Sequence, residues 1–313
     1  MKGAKNLPNP AYCYINTSVA TVWTAIEAAE GAGQEVLGNP AAIKKWLQQL
    51  TDKKRLELWS GNKIQTQALY GQTAIILSRN GDWAQVAIPD QLTAKNKLGY
   101  PGWVPFCQLK ETAEPFDGDA YAVVDTPVAG LYDENQRRRF EISFQTRLPF
   151  LDEIDGWIKV KTLSGTGLVK KDAVQVIGGK RQPVPQRQNE RILKAGKMFL
   201  GLPYLWGGIS GFGYDCSGFA YTMVKAATGT IIPRDAGEQA QHGKEIPLSD
   251  IEPGDLLFFA HKKGKGAIHH VGIYAGEGDL LHSPKTGRNV EVLKMDGTIY
   301  GEELCCARRY WKP

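Results

Sequence analysis

Asp215-Cys216-Ser217-Gly218 is the stretch that decides the fold: a glycine-rich approach, Tyr204-Leu205-Trp206-Gly207-Gly208, precedes it, and apolar residues follow at Ala220, Met223, Val224 and Ala227. That i, i+3, i+4, i+7 spacing is one buried face of a helix, and Gly229 is its natural stop. Asp215 can cap the start. Cys216 then stands at a helix N-terminus, where unpaired backbone N–H groups and the macrodipole favour negative charge. A thiolate is expected there.

A thiolate nucleophile needs a base. His270-Val271-Gly272-Ile273-Tyr274-Ala275 reads as a strand, Gly276-Glu277-Gly278 as a hairpin loop, and Asp279-Leu280-Leu281-His282 as the returning strand. With Ala275 opposite Asp279, Gly272 opposes His282, and His270 lies diagonally across on the same face, about 7 Å away between backbones. His269 points the other way. The expected constellation has Cys216 attacking, His270 moving the proton and His282 orienting the His270 ring. A zinc site from the same three residues plus Cys305 is disfavoured, since the close Cys-x-x-Cys pairs of structural zinc sites are missing. No metal or cofactor is expected. The Gly207 to Gly213 run lacks the Gly-Lys-Ser/Thr ending of a phosphate loop.

Two related β units stand upstream. In the first, Val19-Ala20-Thr21-Val22-Trp23 leads to Thr66-Gln67-Ala68-Leu69-Tyr70, to Gly81-Asp82-Trp83-Ala84-Gln85-Val86 and to Gly102-Trp103-Val104-Pro105. In the second, Ala122-Val123-Val124 leads to Phe144-Gln145-Thr146, Asp155-Gly156-Trp157-Ile158-Lys159-Val160 and Gly167-Leu168-Val169-Lys170. Each reads as a small five-stranded barrel. A helix is inserted in the first over Asn39 to Leu50, with Pro40 at its start and Ile43, Trp46, Leu47 and Leu50 as its stripe. Gly178 to Gln188 reads as a linker. Beyond it a helix over Asn189 to Leu200, the Cys216 helix and strands from Asp255 onward imply an α+β domain. The expected units are residues 1–112, 113–178 and 187–313.

The chain has 313 residues, enough for two or three domains, with 38 Lys and Arg against 33 Asp and Glu. A formal charge of +5 is too small and dispersed for a nucleic-acid surface, and Arg137-Arg138-Arg139 reads as a solvated loop. Five cysteines suggest no disulfide framework. No export signal opens residues 1–30 and no apolar run reaches the ~18 residues of a membrane span, so a cytosolic protein is expected, the alternative being an exported form whose signal has been removed. The sequence is silent on oligomeric state.

Five ordered motifs carry a resemblance: the Tyr204 and Asp215 stretches, Pro233-Arg234-Asp235, Pro253-Gly254-Asp255-Leu256-Leu257-Phe258-Phe259 and His270-Val271-Gly272-Ile273-Tyr274. In order and spacing they resemble the NlpC/P60 family of papain-like cysteine peptidases. The upstream units look like the paired bacterial SH3 domains of its YkfC-like branch, dipeptidyl-peptidase VI, with Gly99-Tyr100-Pro101-Gly102-Trp103-Val104-Pro105 particularly similar.

The resemblance implies hydrolysis of the bond between γ-D-glutamate and a diamino acid, lysine or diaminopimelate, in small murein peptides with a free N-terminal L-alanine. It makes Cys216 the nucleophile, His270 the base and His282 the third polar residue, with Tyr204 near the oxyanion site. A free α-ammonium in a closed pocket needs anionic partners. Asp235 is expected to bind it, and Asp215 to share this or serve only as the cap. Tyr100 would close the pocket beyond the alanine, and Trp206 and Ser217 complete the expected substrate contacts. An acid expected in the first SH3 unit is missing, the nearby strand offering Gln65, Gln67 and Gln72. A Cys/His amidase or acyltransferase on the same fold is the alternative. A wall-binding protein with a dead peptidase domain would have no use for the three site residues.

Overall fold

The protein's structure, a computed structural model, describes residues 12–178 and 186–312; residues 179–185 of the expected linker lie outside them. Two β units come first, and their strands pair in the same order. The first sheet runs Ile64–Leu69, Val19–Trp23, Tyr100–Pro105, Trp83–Ile88, Thr73–Asn80, Tyr12–Ile15, Leu109–Thr112. The second runs Arg138–Ser143, Val128–Tyr132, Gly165–Lys170, Trp157–Thr162, Arg147–Ile154, Ala120–Val124, Val174–Gly178. Each sheet has seven strands rather than five. The strand Ala120–Val124 is the counterpart of Tyr12–Ile15, not of Val19–Trp23. Val19–Trp23 is buried along its whole length, so it offers no alternation by which to align it.

Between Val19–Trp23 and Ile64–Leu69 stand three α-helices, Gln34–Leu37, Ile43–Gln49 and Asp52–Ser60. The middle one is the expected insertion, but it starts at Ile43 with Ala42 as its cap position, so Pro40 precedes it. Its buried Ile43, Trp46 and Leu47 pack into one cluster with Trp23. The Asp52–Ser60 helix buries only Leu58 and leaves Leu56 and Trp59 exposed, so it shows no apolar stripe to read. Thr51 caps it, accepting from the Lys54 N–H at 3.3 Å.

In the third unit the helices Gln188–Lys197 and Cys216–Thr228 pack together against an antiparallel sheet of six strands. Its order is Lys244–Ile246, Leu304–Arg309, Leu256–Ala260, Ile268–Gly276, Asp279–His282, Glu291–Lys294. Ile192, Phe219, Met223 and Val224 from the helices meet Val271, Ile273 and Leu281 from the sheet in one core. This is the expected α+β arrangement. A Cβ on Gly218 would lie 2.1 Å from the Gly208 carbonyl oxygen, so a glycine there lets the start of the Cys216 helix press against the glycine-rich approach.

The units pack against one another. Tyr70 Oη accepts the Leu163 N–H at 2.8 Å, joining the first unit to the second, and Ser143 Oγ accepts the Gly211 N–H at 2.8 Å, joining the second to the third. Gln67 Oε1 accepts the Ser210 hydroxyl at 2.9 Å, joining the first to the third.

Asp255 holds the sheet of the third unit to the end of the chain. It is wholly buried and takes Arg309 Nε and Nη2, both at 2.8 Å, and Trp311 Nε1 at 3.0 Å. Asp255→Ala would leave Arg309 with only Glu252 and the Asp250 carbonyl and the buried Trp311 N–H without its acceptor, and the expected loss is about 2–4 kcal/mol of unfolding free energy, read from the chemical denaturation midpoint. A loss below about 1 kcal/mol would contradict this role.

Candidate active site

Arg234 organises the start of the Cys216 helix. Its side chain is 1% exposed, and Nη1 and Nη2 bind the two Asp215 carboxylate oxygens at 3.1 and 2.7 Å. Burial alone would oppose the Arg234 charge, but the Asp215 carboxylate outweighs it and raises the pKa. Asp215 caps the helix as expected, accepting from the Gly218 N–H at 2.6 Å, and also accepts the Gly207 N–H at 3.0 Å. Ser217 Oγ donates to Asp215 at 3.3 Å and accepts from Arg234 at 2.9 Å. Asp215 is therefore neutralised and hydrogen-bonded from several sides, which favours the cap over amine binding.

Cys216 opens onto a cavity of about 240 Å³ between the first and third units. Tyr100, Tyr204, Trp206, Asp215, Ser217 and Asp235 line the same cavity, so the structure brings the expected substrate residues together around the cysteine. Tyr100 is buried at the start of its strand and its hydroxyl donates to Asp235, with the oxygens at 2.8 and 2.9 Å. Burial first and Asp235 second push the Tyr100 pKa up, so the phenol keeps its proton for that bond.

The three glutamines also separate. Gln65 lines the cavity, Gln67 is buried between units, and Gln72 accepts the Leu69 N–H of its own turn at 2.7 Å. Of the three, Gln65 is therefore the one on the cavity wall.

The histidine hairpin has the expected register where it matters. Ile273 pairs with Leu281, which sets Gly272 opposite His282, while a bulge near the loop makes Gly276, not Ala275, the partner of Asp279. A Cβ on Gly272 would lie 2.6 Å from Leu280 and 3.0 Å from the His282 Cβ, so the glycine makes room for this crossing. His270 Nε2 lies 2.8 Å from His282 Nδ1 and both rings are buried. His269 does not join this pair: its Nε2 lies 2.8 Å from Glu303 Oε2, and the residue lines the cavity beside Ile268.

Two residues not singled out by sequence complete this cluster. Glu291 Oε1 lies 3.5 Å from His282 Nε2, and the Tyr300 ring packs edge-on to His282 at 4.8 Å between centroids and tilted against His270 at 5.2 Å. The Glu291 charge favours a proton on His282 Nε2. His282 Nδ1 then accepts the His270 Nε2–H, and His270 Nδ1 keeps an open lone pair. The signal for Glu291 lay in pairing: it stands directly opposite His282 on the next strand.

The electrostatics differ from the thiolate expectation. Burial, followed by the Asp215 carboxylate, pushes the Cys216 thiol up to about 12, against the pull of the Val271 and Ser217 N–H groups and Arg234. Burial pushes His270 well below 6.5, helped by His282, and takes His282 down to about 4 although Glu291 resists. Both shifts favour a neutral thiol and a neutral imidazole. Helix-end stabilisation of a thiolate is real but smaller than the desolvation of a buried sulfur.

No shared metal set forms from Cys216, His270, His282 and Cys305: the histidines bond to each other and the Cys305 thiol donates to the Phe258 carbonyl at 3.2 Å. Among the described residues His261, His269 and Glu303 do bring ligand atoms within 4.8 Å of one another. The two imidazoles, however, stack 4.1 Å apart at 14°, so their in-plane lone pairs lie in near-parallel planes and do not meet at one point between the rings.

The model of the NlpC/P60 family matches residues 201–309, and that of the YKFC SH3b2 domain matches residues 124–176. A gamma-D-glutamyl-L-lysine dipeptidyl-peptidase of Bacillus subtilis (strain 168) is 46% identical, over 94% of this chain and 97% of that protein. One of the same name from Bacillus cereus is 38% identical, over 95% of this chain and 90% of its own. The crystal structure of an NlpC/P60 family protein from Bacillus cereus superposes with a TM-score of 0.90 at 38% identity, covering 96% of this chain and 99% of that one.

Removing the Glu291 charge removes a group that raises the His282 pKa. Glu291→Gln is expected to move His282 titration below its starting value of about 4, followed by the imidazole signals in NMR. An unchanged or raised value would show that Glu291 does not act on this ring.

Proposed function

Because the chain belongs to the NlpC/P60 family of cysteine peptidases, we propose that it is a γ-D-glutamyl-L-diamino acid endopeptidase acting on small murein peptides. It cleaves after γ-D-glutamate and releases L-Ala-D-Glu from peptides whose L-alanine is free. The diamino acid is lysine, as in the names of the two Bacillus relatives. The compartment we assign is the cytoplasm.

The observation that carries this reading is the cavity itself: Cys216 lies on its wall, the bonded His270 and His282 lie in the strands packed on the Cys216 helix, and the Tyr100 hydroxyl and Asp235 carboxylate are joined on the same wall. A peptide α-ammonium seated on Asp235 gains a charge partner that a blocked terminus cannot use. In the chemical step His270 Nδ1 accepts the Cys216 proton as sulfur attacks the γ-carbonyl carbon. The imidazolium then returns that proton to the leaving amine, and water hydrolyses the thioester by the same route. A neutral pair suits this sequence, since proton transfer accompanies attack and no buried thiolate need be held beforehand. His282, biased by the Glu291 charge, keeps His270 in the tautomer that can accept.

Incubation with L-Ala-γ-D-Glu-L-Lys and its N-acetylated form, followed by product mass analysis, tests both parts. Release of L-Ala-D-Glu from the free peptide, about 10- to 100-fold lower kcat/KM for the acetylated one, and no turnover by Cys216→Ala are expected. Equal cleavage of both peptides would refute the ammonium pocket. Turnover by Cys216→Ala would refute the nucleophile.

A further inference from the structure

An ammonium group already sits on Asp235. Lys95 belongs to the segment between the strands Trp83–Ile88 and Tyr100–Pro105, and its Nζ lies 2.9 Å from Asp235 Oδ2. It also hydrogen-bonds the Tyr100 hydroxyl, approaches Gln65 Oε1 at 3.3 Å and lies 4.3 Å from the centroid of the Tyr100 ring. A carboxylate, a phenol oxygen, an amide oxygen and an aromatic face are together a complete cradle for a primary ammonium.

Hydrogen bonds hold the backbone that delivers this lysine, while its side chain is held by contacts partly open to solvent. Glu238 Oε1 accepts the Ala94 N–H at 3.0 Å and the Thr93 hydroxyl at 3.2 Å, and the Lys95 N–H donates to Thr93 Oγ1 at 3.1 Å. The Lys95 and Asp235 side chains keep 43% and 35% of their surface exposed. A pair this exposed is weak, and a four-carbon stem leaves it easily. The nearby Asp215 cannot supply a second charge, because Arg234 has taken it, and Gln65 is neutral. One lysine therefore cancels the cradle's only uncommitted carboxylate among the described residues lining it.

We propose that Lys95 is a built-in competitor: its ammonium fills the amine cradle of the resting enzyme, and a substrate's α-ammonium enters by displacing it. This rests on the ammonium pocket proposed above. The apparent affinity for free-amine peptides is then lowered by the fraction of molecules in which Lys95 occupies the cradle. The lysine also keeps the Asp235 charge paired when no peptide is present.

The test is calorimetric binding of the dipeptide L-Ala-D-Glu to the wild type, Lys95→Met and Lys95→Arg. Methionine keeps an apolar stem without the charge, so about three- to tenfold tighter binding is expected, with Lys95→Arg within about twofold of wild type. The KM for L-Ala-γ-D-Glu-L-Lys should fall by a similar factor at unchanged kcat. Equal or weaker dipeptide binding by Lys95→Met would overturn the proposal. If Lys95→Met tightens binding yet the wild type does not cleave the tripeptide, the competitor stands and the peptidase assignment falls.

Discussion

The buried ion pair of Arg234 and Asp215 is the interaction on which the site depends. Two charges in the interior persist only if nearly every donor and acceptor is satisfied. Here the guanidinium takes both carboxylate oxygens, Ser217 Oγ and Thr66 Oγ1, and the Arg234 N–H donates to Leu92 O. Thr66 and Leu92 belong to the first β unit, Asp215 and Ser217 to the helix that carries Cys216. One side chain thus fixes the helix start, the loop bearing Asp235 and the first unit relative to each other. The cavity is a consequence of that fixing, since its walls come from both units.

The same pair shapes the chemistry. Asp215 pushes the cysteine thiol up more than Arg234 pulls it down, and burial is the largest effect. The histidines are dry and neutral for the same reason. Order then comes from charge and one hydrogen bond: the Glu291 charge biases His282, His282 bonds His270, and the open nitrogen of His270 is left to take a proton. Further along the cavity wall the Lys95 ammonium rests on the Asp235 carboxylate and the Tyr100 hydroxyl.

Much of this was legible in the sequence. The Cys216 helix, its Asp215 cap and the hairpin register near His282 follow from local rules, capping, 3.6-residue periodicity and strand pairing, and the family motifs supply the rest of that unit. What was not legible depends on burial or on contacts between distant segments. The thiol pKa needs the packing around Cys216; the separation of Gln65 from Gln67 and Gln72 needs the docking of the first unit. Lys95 sits in a polar stretch without periodicity, and only the folded chain brings it to Asp235; Glu291 opens a short strand whose pairing with His282 shows only once the register is known. The Asp52–Ser60 helix escaped because its apolar residues do not form a stripe, and the repeat was aligned one strand out because Val19–Trp23 is buried on both faces.

The central claim is that the first unit closes the cavity around a peptide's free amino end. Its most direct test is a crystal structure of Cys216→Ala with L-Ala-γ-D-Glu-L-Lys bound. The α-ammonium should lie within hydrogen-bond distance of the Asp235 carboxylate and the Tyr100 hydroxyl, with the Lys95 Nζ withdrawn and the γ-glutamyl carbonyl at the position of the missing sulfur. A peptide whose amino end runs past Tyr100 into solvent would contradict the account.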